Sequence, residues 1–309
     1  MKFNTFPKLL AFCALVLTSS QALAQSRWPG IVLYSIERNG ITGHLVIDPV
    51  VRIYKGEFSY PVPTPAEAFD DPNSEQVLGG LFDRFCREEY KHGRKLELYV
   101  DGNKCGAAKI TQIDSLHSCS PVVSEVRLSY FDSAKLHFSG HGLVIASLAP
   151  RRKIPEFFVD TNLEKSLYEY AKKEFVVRGV KKEIAEKTEV TDIRATDLDG
   201  DGKPEYLVTY IIIGEEVKRG DYQPNMQYTI TLVLEPTQDG FKQLFSHFPD
   251  PGIPDETHTY RFADVIDLDG DGICEIVIQK RNYSSWDYIL LKKKGEMYEE
   301  VYEGAGGGC

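Results

Sequence analysis

The chain has 309 residues, 42% hydrophobic and 27% charged, with 17 Tyr and 16 Phe against 2 Trp and a formal net charge of −10. That length suits one large domain or two ordinary ones, and no long low-complexity run interrupts a globular composition. The acidic balance excludes an electrostatic nucleic-acid footprint.

Residues 1–24 open with Lys2 and Lys8, pass through an apolar stretch from Leu9 to Leu17 and finish with Ala22-Leu23-Ala24. This pattern predicts a signal peptide, and therefore a secreted or periplasmic product. No later segment reaches the ~18 uninterrupted apolar residues of a spanning helix, so no membrane span is expected. From Ile31 to Ile47 two apolar runs flank Asn39-Gly40, a tight-hairpin signature. Pro61–Pro65 reads as an extended spacer, Ser74–His92 as a helix stopped by Gly93, and Lys95–Val100, Glu125–Phe131 and Leu136–Ser147 as strands. The helix carries Leu78, Leu81, Phe82 and Phe85 on one face and predicts Cys86 as a buried thiol. Residues 25–150 thus read as a β-rich N-terminal domain with one helix.

Pro150 to Pro155, with three basic residues, marks a boundary before a second domain, 156–309. That domain begins with an amphipathic helix. Thr161 and Glu164 form a capping box, Leu163, Leu167, Tyr170, Ala171 and Phe175 line one face, and Gly179 closes it. The chain then repeats itself. Strands are expected at Glu189–Arg194, Glu205–Ile212, Gln227–Leu234 and Phe241–Phe245, and again at Tyr260–Ile266, Glu275–Gln279, Trp286–Leu291 and Met297–Tyr302. The sequence DLDGDGKPE, residues 197–205, stands at the first turn of one copy, and DLDGDGICE, residues 267–275, at the first turn of the other. The resulting expectation is a mainly β chain with α+β character, in which each acidic loop opens a four-stranded meander. The helix covers the edges of this open unit.

In the first loop Asp197, Asp199 and Asp201 occupy positions 1, 3 and 5, Gly202 permits the turn at 6, the Lys203 carbonyl stands at 7 and Glu205 at 9. Asp267, Asp269, Asp271, Gly272, Ile273 and Glu275 repeat that set. Alternate oxygen donors converging on a tightly wound turn suit a hard cation, and calcium tolerates irregular geometry better than magnesium. An EF-hand is excluded, because position 12 holds Val208 or Ile278 rather than a bidentate glutamate, and strands flank the loops. The arrangement resembles the FG-GAP/VCBS repeat family, in which a DxDxDGxxD-type loop joins two strands of a propeller blade. The resemblance covers about residues 187–302 and implies propeller-blade-like meanders, two Ca2+ sites and a binding or adhesion role toward a protein or carbohydrate ligand. Glutamate at position 9 departs from the family's usual aspartate.

Beyond residue 24 the cysteines are Cys86, Cys105, Cys119, Cys274 and Cys309, an odd count that allows a disulfide-linked dimer. Cys105 with Cys119 is the preferred bridge, and Cys274 with Cys309 a taut one. His137–Gly142, HFSGHG, resembles the histidine segment of caspase-like peptidases, but no cysteine follows in the acidic-Ala-Cys context those enzymes need. A glycine-flanked turn is the better reading, and no catalytic residue is assigned. Tyr283, Trp286 and Tyr288 read as strand packing rather than a carbohydrate-stacking surface. The alternative to a non-catalytic binding protein is a secreted hydrolase whose active site lies in residues 25–150, where His44, His92, His117, His137 and His141 fall.

Overall fold

The computed structural model describes residues 28–38, 43–62, 73–113, 123–131, 141–146, 153–155, 157–213, 227–249, 259–281 and 285–308. The expected signal peptide, the Asn39-Gly40 turn, most of the proline spacer, residues 137–140, Cys119, Tyr283 and Cys309 lie outside them.

Six strands of the N-terminal half close on themselves. β1 (Ile31–Arg38) pairs with β2 (Leu45–Tyr54), and the antiparallel circuit continues through β6 (Ser124–Phe131), β5 (Asn103–Ile113), β4 (Lys95–Val100) and β7 (His141–Ile145) back to β1. The short β3 (Glu57–Ser59) extends this barrel-like sheet beside β2. Closure leaves β1 buried on both faces, with Val32, Tyr34 and Ile36 on one side and Leu33 and Ser35 on the other. A register shift opposite Leu33 and Tyr34 leaves Val50 of β2 as the extra residue beside Pro49, which has no N–H for the ladder.

β5 is a strand the sequence reading does not include. Its turn from β4 is Asp101-Gly102, whose φ values of 48° and 69° are both in the left-handed region. That dipeptide is the same hairpin signal as Asn39-Gly40. Helix α1 (Ser74–Glu89) ends against the barrel through Glu89, whose buried carboxylate meets Arg52 at 3.4 Å and also pairs with Arg94. Cys86 on this helix is half-buried rather than buried, and desolvation pushes its thiol up to about 11.

Helix α2 (Thr161–Val177) starts one residue earlier than the capping-box reading places it. Asp160 is the N-cap, and its Oδ1 accepts the Leu163 N–H at 2.8 Å. After the short α3 (Lys182–Ala185) come two four-stranded antiparallel sheets. The first runs in the order β11 (Gly240–His247), β10 (Gln227–Thr237), β9 (Glu205–Ile213), β8 (Glu189–Thr196). The second runs β12 (Thr259–Ile266), β13 (Glu275–Arg281), β14 (Ser285–Lys294), β15 (Met297–Gly308).

Side-chain alternation decides how these layers stack. Tyr206, Val208, Tyr210 and Ile212 of β9, with Ile230, Leu232 and Leu234 of β10, meet Leu167, Ala171 and Phe175 of α2. The intervening Leu207 and Val233 point the other way, to Phe262, Ile276, Ile278, Ile289 and Leu291 of the second sheet. In that sheet Val277, Tyr288 and Leu290 face the opposite side and pack on Leu33, Val50, Val51, Leu143 and Ile145 of the barrel. The order is therefore α2, first sheet, second sheet, barrel, all within the compact unit Ile31–Cys309. The helix covers a sheet face built by the central strands, not the edges expected for it, because those strands present its apolar stripe with the larger apolar surface.

β15 is also longer than expected and overturns the tail geometry behind the taut bridge. Gly308 pairs with Ser285, whereas Ile276, two residues after Cys274, sits opposite Leu291. Six strand residues, about 20 Å, separate those ends. The continuing ladder carries the chain away from Cys274 as far as Gly308.

Candidate metal centres

Each acidic loop joins the first two strands of its sheet and is anchored by its second residue. Leu198 is buried between the two sheets, and Leu268 is buried on the barrel side. The aspartates must then wind around the outside of the turn. Gly202 and Gly272, with φ of 84° and 90°, make the reversal that a side-chain-bearing residue adopts at a cost.

The two loops repeat one hydrogen-bond pattern. Asp197 Oδ1 accepts the Gly200 N–H at 2.6 Å and Asp267 Oδ1 accepts that of Gly270 at 2.6 Å. Asp199 and Asp269 accept the N–H two residues on, each at 3.2 Å. Asp201 accepts from Lys203 N–H at 2.7 Å, and Asp271 from Ile273 N–H at 2.8 Å. At position 9 the glutamates brace the loop from inside. Glu205 Oε2 accepts the Leu198 N–H at 2.6 Å and Glu275 Oε2 that of Leu268 at 2.7 Å. The longer side chain thus closes the loop across its base, a role that spacing alone does not reveal.

Carboxylate oxygens of Asp197, Asp199 and Glu205 lie within 4.8 Å of one another in the first loop, and those of Asp267, Asp269 and Asp271 in the second. Asp201 is turned outward, where the Lys203 ammonium at 2.9 Å holds its carboxyl below the ordinary range. Glu275 is buried beside its cluster, 1% exposed. Burial, and next to it the neighbouring aspartates, push both position-9 glutamates up to about 7, against the pull of the leucine N–H groups. Burial is the larger cause, and the repulsion of the neighbouring aspartates adds to it. The donor set is hard oxygen throughout, which fits Ca2+ better than a transition metal.

Two lysines that the sequence reading missed supply part of the missing charge. Lys293 Nζ reaches Asp199 Oδ2 at 2.7 Å. Lys292 Nζ bonds Asp269 and stands 3.6 Å from both Asp271 and Glu275. The loops also touch each other, for the Cys274 N–H donates to the Leu198 carbonyl at 2.8 Å. Only the Lys292–Lys294 run at a strand end signalled these partners, and nothing in it names their targets.

The other sequence candidates fall elsewhere. His44 Nδ1 meets Glu125 Oε1 at 2.9 Å and His92 Nδ1 lies 2.8 Å from the Thr111 carbonyl. Trp286 donates its indole N–H to Asp48 at 2.7 Å. Tyr288 is buried, its hydroxyl 2.6 Å from Ser35 Oγ. Both aromatic side chains pack against the barrel. Among the described residues no helix is long and apolar enough to cross a membrane. Comparison of the chain with protein-family models, curated proteins and solved structures finds no match.

Proposed function

We propose that the two acidic loops are Ca2+ sites that stabilise a secreted or periplasmic β-repeat protein, whose role is binding or adhesion rather than catalysis. The observation that carries this reading is a carboxylate cluster at the same turn of each of two stacked sheets, built on positions 1 and 3 in both loops and completed by Glu205 in the first and Asp271 in the second, within one repeated hydrogen-bond pattern. In the first site Asp197, Asp199 and Glu205 hold the ion, with Asp201 and the Lys203 carbonyl completing the set. Asp267, Asp269, Asp271, Glu275 and the Ile273 carbonyl do the same in the second. The stacked sheets support the likeness to FG-GAP/VCBS blades, with helix and barrel covering the two outer faces instead of further blades. The ion's work here is structural, since it relieves carboxylate repulsion and pins the strand turns. Calcium at 100 times its dissociation constant would add about 2.7 kcal/mol per site. The test is thermal unfolding in EDTA with calcium, then magnesium, titrated in. Wild type gains melting temperature with calcium far more than with magnesium, D199A and D269A each lose part of the gain, and the double variant loses it all. An equal calcium response in wild type and double variant overturns the reading.

A further inference from the structure

A second polar site lies where the two sheets meet the barrel. A cavity of about 580 Å³ opens between β8, β12 and the Asp101-Gly102 turn, within the range of small-molecule pockets.

One part of its wall is the inner face of the first sheet. Along β9 and β10 the cross-strand pairs on that face are Leu207 with Val233, Thr209 with Thr231, then Ile211 with Thr229. Leu207 and Val233 fill the space between the sheets, and past them threonine enters the positions of branched aliphatic residues. Threonine keeps their β-branched shape in a strand but brings a hydroxyl. Thr209 Oγ1 and Thr231 Oγ1 satisfy each other at 3.3 Å. Thr229 is only 3% exposed, lines the cavity, and its hydroxyl has no hydrogen-bond partner among the described residues. The cavity is therefore where that hydroxyl makes its hydrogen bonds.

The charged part of the wall is paired within itself, with Arg194, Arg261 and Arg281 set among Asp101, Asp192 and Asp264. Arg194 takes both oxygens of Asp192, at 3.3 and 3.2 Å, gives another hydrogen bond to the Phe262 carbonyl at 2.7 Å and stands 3.6 Å from Asp101. Asp192 is also the strongest opposite charge around Arg261. Asp264 Oδ1 accepts the N–H groups of Gly102 at 3.1 Å and Val265 at 2.7 Å, and burial, then the Asp101 charge, push its carboxyl up to about 8. Arg281 is exposed, so solvent screens its charge.

This pairing selects against an ionic ligand. A charged group has to break an aspartate–arginine pair, which strands the displaced partner, or lie against charges of its own sign. An uncharged hydroxyl does neither, because it donates to a carboxylate lone pair while accepting from a guanidinium N–H, and so bridges the pair intact. Ile193, Ala263 and the Tyr260 ring give the same wall an apolar side. Hydroxyls along an edge and C–H groups across a face are the surface of a sugar ring.

We propose that this cavity binds an uncharged sugar, free or at the end of a glycan, held by the Thr229 hydroxyl and by hydroxyls that bridge Asp192 and Arg194. None of its wall residues belongs to the acidic loops, so its test succeeds or fails separately from the calcium titration.

The experiment is calorimetric titration of the full chain, at fixed calcium and ionic strength, with glucose, galactose, mannose, N-acetylglucosamine, cellobiose, lactose and chitobiose. Succinate, putrescine and glycine betaine are the anionic, cationic and zwitterionic controls. Saturable binding of at least one sugar, at least 10-fold tighter than every control, is the expected result. A disaccharide bound more tightly than its monosaccharides identifies a glycan end as the source. T229V keeps the shape of the side chain and removes a hydroxyl that no protein group uses, so it should unfold at the wild-type denaturant midpoint. It should nevertheless weaken sugar binding about 3- to 10-fold, the worth of one neutral hydrogen bond. T229S keeps the hydroxyl and should keep the affinity. The proposal is overturned if no sugar binds more tightly than the controls, if T229V binds as wild type does, or if T229S loses as much affinity as T229V.

Discussion

Lys292 and Lys293 are consecutive residues of β14 yet serve different acidic loops, Lys292 bonding Asp269 of the second and Lys293 reaching Asp199 of the first at 2.7 Å. Successive side chains of a strand point to opposite faces of its sheet. One strand therefore places an ammonium on each carboxylate cluster. These lysines neutralise part of the charge on the clusters, and beside a bound cation they would be like-charged neighbours.

Replacing Lys292 separates those two effects. K292Q should lower stability in EDTA by roughly 1 kcal/mol, in line with a partly exposed ion pair. The same change should tighten calcium binding several-fold, because no ammonium competes for Asp269, Asp271 and Glu275. Denaturant unfolding in EDTA and calcium titration measure both, and a weaker calcium affinity in K292Q would contradict the lysine's competing role.

The backbone hydrogen bond from Cys274 to Leu198 predicts coupling between the sites. Ordering one loop holds a donor or acceptor of the other in place, so the second ion binds a partly organised turn. D199A should then weaken binding at the intact Asp267–Glu275 loop as well as abolish its own. Two-site calorimetry in D199A reads this directly, with unaltered affinity at the remaining site arguing for independent loops.

Asp264 ties the barrel turn to β12, and its raised pKa sets the sign of a pH effect. A carboxyl whose folded pKa, about 8, exceeds its unfolded value near 3.9 contributes full stability below the unfolded pKa and loses it as pH rises through the folded one. D264N keeps an oxygen for the Gly102 and Val265 N–H groups but cannot ionise. Its stability relative to wild type should therefore climb between pH 4 and pH 9, by more than about 1 kcal/mol in all. Urea unfolding across that range checks it, and a pH-independent difference would show that Asp264 does not hold its proton.

Glu89 is 1% exposed and Arg52 2% exposed, and this buried pair anchors the end of α1 to the barrel. Removing one partner strands the other's charge, at a cost of about 3–5 kcal/mol. E89A should lower the melting temperature strongly, whereas the exposed pair change K242A should move it little, since Lys242 and Glu296 sit at the surface.

Gly306 lies in β15 with φ of 147°, and a Cβ there would stand 1.8 Å from the Trp286 carbonyl. G306A cannot be accommodated without moving the β14–β15 ladder at its bulge beside Asp287. A loss of about 1–3 kcal/mol is expected, the usual cost of overpacking, read from the unfolding midpoint.

Local patterns decided much of this molecule. Apolar runs located the paired strands of the C-terminal half, because the central strands β9, β10, β13 and β14 bury both faces, each in a different layer. Matching DLDGDG strings located the two loops, since a turn that collects carboxylates needs those donors and that glycine at fixed spacing. Asp101-Gly102 announced a hairpin just as plainly, but β5 behind it carries glycine, alanine and lysine where a strand usually shows branched residues, so its pairing depends on neighbours across the barrel. Tertiary structure alone decided the rest. Which face of β9 meets the helix, which ammonium reaches which loop, and which arginines share a cavity with Asp264 depend on contacts between residues far apart in the chain, such as Gly102 and Asp264, 162 positions apart. Burial and Coulomb energy act through space, and chain order carries no record of those distances until the layers have stacked.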